Sequence, residues 1–553
     1  MSERQQMKTV PTYASFVGGQ DLASDRHLYT VSARSVLEDV FSALTLKRKL
    51  DAGQADPAEF ADRIVGRCAA AGDDVNEAAL RAAAAAAPIW ASTPLRTRLE
   101  GMAMIRERVR ARHDEIVDTL IAEGNPRLLA QWQVSGMLTA ASDDMLIWFE
   151  TQLCQEFSVG PRRLFVRRVA DGVVCVNPPQ NAPASSALLG CMSLLAGNAI
   201  VVRAPRSAPL GVMYLLREFV APVLEELGAP PGTLNVFCAR PGRTIDTWLE
   251  SPLVNDIFYT GSVERGLEVE RRCIEAGKKP ILELSGNDCV VVWHDADVEL
   301  AAQALTEAFY GSGQICMVPN QVVAHPRIAD ELLVALDAAL QKVKPGYPDE
   351  DGVLLSPVMR TERFFGYVRD ALEHGAKLVR GGRRLEVDGT PSDTGMFLEP
   401  TVLRVDGLVD CRDIEMVREE TFFPLLPIVV PQEAEDHSLL DDVIAFVESN
   451  RYGLRNSLWS KDPAVIDEFV RRVRNGGLLK VNDSHIGFAP YLPTHGGTGL
   501  TGGAFGEANY PALRTSHLQG VSIAEGVRPL DAVFDSYRLV AGVPAQKLMQ
   551  NKE

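Results

Sequence analysis

Residues 256–284, DIFYTGSVERGLEVERRCIEAGKKPILEL, hold one turn of the pattern that decides the fold. The run DIFY (256–259) is short and apolar, as a strand buried on both faces is. From Val263 apolar residues recur at helical spacing to about 276, where Gly277 supplies a stop, and PILEL (280–284) is a second buried strand. Two such strands joined by a helix-length crossover pair in parallel. Toward the N-terminus the rhythm repeats: a strand at 173–176, a helix at 184–196, strand AIVV (199–202), a helix at 208–227 closed by Gly228, and strand TLNVF (233–237). Toward the C-terminus a second series has strand CVVVW (289–293), helix 297–310, strand QVVAH (321–325), helix 327–343 and strand LLKVN (478–482). Two α/β domains with a cleft between them are the simplest packing, with ligands expected beyond the C-terminal ends of the strands. Residues 1–75 are polar, carry one helix (Val36 to Leu50), and read as an extension packed on something larger. The runs 164–169 and 172–176, joined by AlaAspGly, read as a projecting hairpin that leads into a buried strand.

Composition narrows the function. The 553 residues carry 56 Lys+Arg against 73 Asp+Glu, a net charge of −17, which argues against a nucleic-acid footprint. At 46% hydrophobic and 23% charged the chain can bury large cores. No window has the ~18 uninterrupted apolar residues of a membrane span, and the first residues lack a signal-peptide core, so a cytoplasmic protein with no membrane partner is expected. Nine scattered cysteines, none closer than the sixteen residues separating Cys175 from Cys191, form neither a disulfide framework nor a metal knuckle. Cysteine chemistry here means a single thiol, and no metal site is expected.

One G-x-G-x-x-G match, Gly497 to Gly502, follows a proline-broken segment rather than a strand, and reads as a flexible loop. Tyr259-Thr260-Gly261-Ser262 is better placed: a glycine and a helix start follow a strand end, so free amides there can hold a phosphate, although a plain serine cap and turn glycine explain the same residues. Cys316 follows GSGQI in a loop between helix and strand, a placement that suits a reactive thiol as well as an inert buried one. Glu283 ends an otherwise apolar strand, where a carboxylate is either paired or poised as a base. Asn181, before a helix, is a turn residue or an oxyanion donor.

Taken together, these residues resemble the NAD(P)-dependent aldehyde dehydrogenase superfamily from about Asp74 to about Gly520. Val174 to Pro183 and LLAGNAIVVRAPRSAP (194–209) are similar to the family's P-W-N-F-P and A-G-N-x-V-V-x-K-P stretches, and FYTGSVERG (258–266) to its F-T-G-S turn. LELSGND (282–288) resembles L-E-L-G-G-K, the run 295–316 resembles the segment ending G-Q-x-C, and REETFFPLLPI (418–428) resembles E-E-x-F-G-P. The resemblance implies an α/β, aldehyde-dehydrogenase-like fold: a Rossmann-type cofactor domain, an α/β catalytic domain and a small β oligomerisation element. The implied division is an N-terminal extension (1–75), a nucleotide-binding domain (76–286, with about 484–504), a catalytic domain (287–483), an oligomerisation element (155–172 and 505–525) and a C-terminal tail (526–553).

It further implies oxidation of a small-molecule aldehyde to a carboxylic acid with NAD or NADP. Cys316 would be the nucleophile, the Asn181 amide and Cys316 N–H the oxyanion donors, and Glu283 the base that activates water. Gly261, Ser262, Pro179, Arg203, Arg206, Glu420 and Phe422 would contact the cofactor, and a homodimer or homotetramer is implied. The chain departs from the pattern at Gln180, Ser285 and Phe423, none of which removes a reacting group. Arg206, where NAD-preferring members often carry glutamate, suits a 2′-phosphate, so NADP is expected to be accepted. Small residues after Asn181 (Ala182, Ala184, Ser185, Ser186, Ala187) suggest a wide channel for a bulky or polar aldehyde. The alternatives are a CoA- or carrier-linked acyl-thioester reductase or acylating aldehyde dehydrogenase, and a non-catalytic member of the same family; Glu283 argues for hydrolysis over transfer to a thiol.

Overall fold

Every residue of the strands Val173–Asn177, Ala199–Ala204 and Leu234–Cys238 is buried, which is possible only where helices cover both faces of their sheet. A computed structural model describes residues 10–506 and 508–534, and in it these strands form the centre of a seven-stranded sheet. Its parallel part runs Lys279–Glu283, Asp256–Thr260, Val173–Asn177, Ala199–Ala204, Leu234–Cys238. Asn177, Arg203, Thr260 and Glu283 therefore lie at one edge, at or next to the C-terminal ends of their strands. The hairpin Ser15–Val17 and Gln20–Leu22 extends the sheet in antiparallel fashion. Its turn residues Gly18 and Gly19 have φ of 60° and 78°, the left-handed pair that fits a tight hairpin.

The second sheet orders Lys377–Arg380, Thr401–Asp406, Leu425–Val430, Pro319–Ala324, Asp288–Val292, Arg455–Trp459 and Leu478–Val481, parallel except at Lys377–Arg380. A third, antiparallel sheet of Cys154–Val159, Arg162–Ala170 and Ser516–Ala524 is largely exposed. Here the sequence reading needs correction: Arg162–Ala170 pairs with these two strands and not with 173–177. Gly172, at φ 136°, instead turns the chain into the first sheet, its missing Cβ leaving room for Asn255 Oδ1.

One expected helix is broken and a second is locally widened, each for a local reason. In place of one helix from Val36 to Leu50 the chain forms Ala33–Glu38 and Val40–Asp51. Between them Asp39 is extended and its carboxylate caps Ser42 N at 3.0 Å, starting the second helix anew. The expected 208–227 helix runs unbroken from Leu210 to Glu226, but Pro222 brings no N–H and crowds the preceding turn, and the helix widens to a π turn at Leu216–Val220. The tail expected at 526–553 begins with a short helix, Pro529–Phe534; residues 535–553 lie outside the described residues.

Candidate active site

Three consecutive left-handed residues build the loop that presents Cys316. Gly311, Ser312 and Gly313 have φ of 60°, 59° and 69°. Ser312, the one that strains a side chain, is held by two hydrogen bonds of its hydroxyl, given to Ser356 O (2.5 Å) and accepted from Ser356 N (3.0 Å). A Cβ at Gly313 would lie 2.1 Å from Phe423 O, so the loop closes directly on the 419–424 segment.

Out of this loop the Cys316 thiol donates to Glu283 Oε1 at 3.1 Å. Glu283, 3% exposed, ends the strand Lys279–Glu283. A Cβ at Gly286 would sit 2.1 Å from Cys316 O, so only glycine allows the turn after Glu283 to pack on the cysteine backbone. Burial pushes the Cys316 thiol well above its ordinary range, the Glu283 and Glu420 charges add to this, and Arg455 partly opposes it. The resting pair is thus a protonated thiol beside an acceptor carboxylate. Asn181 Nδ2 gives one hydrogen to Gln314 O (2.9 Å), which ties it to the cysteine loop and leaves the second for a ligand oxygen. Glu420 Oε1 accepts from Gly286 N (3.1 Å), and burial pushes its carboxyl up to about 7. Phe422 holds φ 60°, and Phe423, in the place of a glycine, fills the second core against Phe364 and Tyr367.

Behind the cysteine, Arg455 donates to His485 O, Thr494 O and Met317 Sδ, and lies 3.8 Å from Asp288 Oδ2. His485 takes Ser457 Oγ at 2.6 Å, and burial beside Arg455 and Lys480 keeps it neutral.

Toward a nucleotide, the residues read from sequence divide into two kinds. The helix Val263–Glu275 starts at Ser262 with no side-chain cap on its free amides, and Gly261 holds the turn down through its N–H to Glu283 O (3.2 Å). Pro179 lines the same cavity as Cys316. Arg203, by contrast, is 3% exposed and committed inward, giving Nε to Asn177 Oδ1 (2.7 Å) and Nη1 to Ala239 O (3.1 Å), while Asn177 holds Thr260 O. Arg206 is half-exposed with Nη2 3.9 Å from Asp51 Oδ2. The open helix start and glycine turn fit a pyrophosphate, and among the described residues no cluster of three metal-ligating side chains occurs.

Cys316 and Asn181 open on a cavity of about 500 Å³. Trp132 and Phe488 form one wall, stacked at 5.1 Å and 20°, and a Cβ at Gly136 would strike the Phe488 ring at 2.6 Å. Neither aromatic was picked out from sequence. Phe488 lies in the proline-broken stretch that precedes the glycine-rich match, and Trp132 lies on Arg127–Ala140, a helix not read from sequence. Of the small residues after Asn181, Ala182, Ser185 and Ser186 line the cavity, whereas Ala184 and Ala187 are packed into the first core. The Gly497–Gly502 stretch is no flexible loop: Gly499–Gly502 forms a helical turn whose Thr501 is wholly buried and donates to Ser285 O (2.7 Å).

Comparison with known proteins agrees with this arrangement. The model of the Aldehyde dehydrogenase family matches residues 51–516. The chain is 28% identical to a D-glyceraldehyde dehydrogenase (NADP(+)) of Picrophilus torridus, over 74% of this chain and 81% of the relative. It is 29% identical to a vanillin dehydrogenase of Corynebacterium glutamicum, over 75% and 83%. An aldehyde dehydrogenase of Mycobacterium tuberculosis, solved with NAD+, superposes with a TM-score of 0.76 at 24% identity, covering 94% of this chain and all of that one (100%).

Proposed function

Because the chain belongs to the aldehyde dehydrogenase family, we propose that it oxidises an aldehyde to a carboxylic acid with NAD or NADP through a thioester on Cys316. The observation that carries this reading is the 3.1 Å contact of Cys316 Sγ with Glu283 at the cavity floor. The Cys316 sulfur attacks the aldehyde carbon and the S–H proton passes to the carbonyl oxygen, so that Glu283 stays free to act on water later. The second N–H of Asn181 and the Cys316 N–H hold the oxygen of the resulting thiohemiacetal. NAD(P)+, when bound, would supply the hydride acceptor, and with the hydroxyl proton lost to solvent the adduct becomes a thioester. Glu283 then takes a proton from water as hydroxyl adds to the acyl carbon and the cysteine sulfur leaves. The buried base favours water over a carrier thiol as acceptor.

The open start of the Val263–Glu275 helix, with Gly261 and Ser262, holds the pyrophosphate, and Glu420 and Phe422 face the nicotinamide end. Arg203 acts through Asn177 and Thr260 by fixing that turn. Arg206 supplies positive charge for a 2′-phosphate, so NADP is accepted alongside NAD. The unpaired state of all nine cysteines supports a reducing, cytoplasmic setting. Among the described residues no helix is long and apolar enough to cross a membrane.

The test is nucleotide reduction over a panel of aldehydes with NAD and NADP. Turnover should vanish in Cys316→Ala, and Arg206→Ala should lower kcat/KM for NADP about tenfold more than for NAD, the worth of one charge-assisted contact. Full activity of Cys316→Ala would refute the reading.

A further inference from the structure

The family match begins at residue 51, yet the chain before it reaches into the active-site cavity. Strand His27–Val31 and helices Ala33–Glu38 and Val40–Asp51 contribute the apolar Val31, Ala33, Val36, Leu37, Ala43 and Leu44 to its wall, together with Thr30 and Lys47. Facing them, the helices around Asn181 bring up Met102, Met137, Met145, Met192, Leu188 and Leu189. Methionine adapts its shape to a flexible apolar guest.

The arm is anchored at both ends. On the nucleotide side His27–Val31 pairs with Ile64–Ala69, whose next residue Ala70 bridges to Cys238 at the end of a first-sheet strand, while within the arm Asp51 accepts from Tyr29 N at 2.8 Å. On the catalytic side the Arg34 guanidinium lies 3.3 Å from Asp349 and 3.9 Å above the Tyr347 ring, while Leu37 packs against the second domain's core. The arm therefore spans the two bodies between which the cavity opens.

The ionisable groups on this side of the cavity are already committed. Lys47 Nζ gives a hydrogen to Tyr29 O and pairs with Asp51. Glu123 accepts from Leu210 N and Gly211 N (2.6 and 2.9 Å), with burial pushing its carboxyl up to about 7. No arginine is among the described residues that line the cavity. An anionic aldehyde would find no unpaired cation here, and a short one would leave most of the apolar wall unused.

We infer that residues 27–51 form the outer wall of the substrate chamber and, with the methionine-lined helices opposite, select uncharged aldehydes with an extended apolar chain. This rests on the aldehyde-oxidising reading above, so the test has one arm that needs turnover and one that does not. In the first, kcat/KM is measured for propanal, decanal and succinic semialdehyde. In the second, binding of decanoate and propanoate is followed by tryptophan fluorescence. The wild-type protein should prefer the ten-carbon over the three-carbon ligand at least about tenfold in both arms, since each buried methylene adds to binding. Leu44→Glu, which puts a charge into the wall at a partly exposed position, should reduce both ratios about tenfold. Phe41→Glu, on the same helix but outside the cavity lining and 84% exposed, should leave them as they are. Equal use of the two chain lengths, a preference for succinic semialdehyde, or unchanged ratios in Leu44→Glu would overturn the inference. Tight, Leu44-dependent decanoate binding without oxidation of any aldehyde would uphold the wall and refute the oxidative reading instead.

Discussion

Burial first, and the Glu283 charge second, raise the Cys316 thiol above its ordinary range, so at neutral pH its proton stays on sulfur. A raised thiol pKa means that the thiolate fraction grows only as pH climbs, and removing the neighbouring negative charge lowers that pKa. We predict that alkylation of Cys316 in the nucleotide-free protein is slow at pH 7 and still rising at pH 9. Glu283→Gln should react several-fold faster at pH 7, one pKa unit being worth about tenfold in thiolate. An unchanged or slower rate in that variant would contradict the assignment. At this scale Cys316, Glu283 and Asn181 were each a weak signal in the sequence, joined only by the family resemblance; the structure brings Cys316 within 3.1 Å of Glu283 and ties Asn181 to the loop before it. Arg203 was legible only as a name: that it points inward to Asn177 depends on a neighbouring strand. Trp132 and Phe488 gave no signal, since their stacking joins segments more than 350 residues apart.

At the scale of elements, the strand–helix alternation stood out because buried parallel strands are continuous apolar runs. The break at Asp39 and the π turn before Pro222 did not, since a cap and a missing donor are not registered by helical periodicity. The glycine-rich 497–502 stretch shows the same limit. Thr501 donates to Ser285 O (2.7 Å) and its own carbonyl takes Leu284 N (2.8 Å), so this turn braces the strand that carries Glu283. Thr501→Val keeps the shape but leaves Ser285 O without that donor in a buried place. It should cost about 1–3 kcal/mol in chemical denaturation. It should also depress kcat more than it raises KM, because it loosens the base and not the substrate wall. A variant as stable as wild type would show that the brace carries no weight.

For the whole molecule, the two α/β units bring together Glu283, at the end of a strand of the first sheet, and Cys316, in the loop that leads into strand Pro319–Ala324 of the second, and the cleft between them holds the chemistry. The third sheet leaves Phe157, Val166, Leu518 and Ile523 exposed, more apolar surface than a solitary ribbon normally shows to water. We predict a homodimer or homotetramer in sedimentation, shifted toward monomer by Leu518→Asp. A wild-type monomer at micromolar concentration would contradict this. The central claim is that Cys316 carries the acyl group and Glu283 helps water remove it. Its most direct test is intact-protein and peptide mass spectrometry of Glu283→Gln quenched during turnover with an aldehyde and NAD(P)+. The account predicts an acyl adduct that adds the aldehyde's mass less two hydrogens to the peptide containing Cys316, persisting far longer than in wild type; product formation with no adduct on Cys316 in either protein would contradict it.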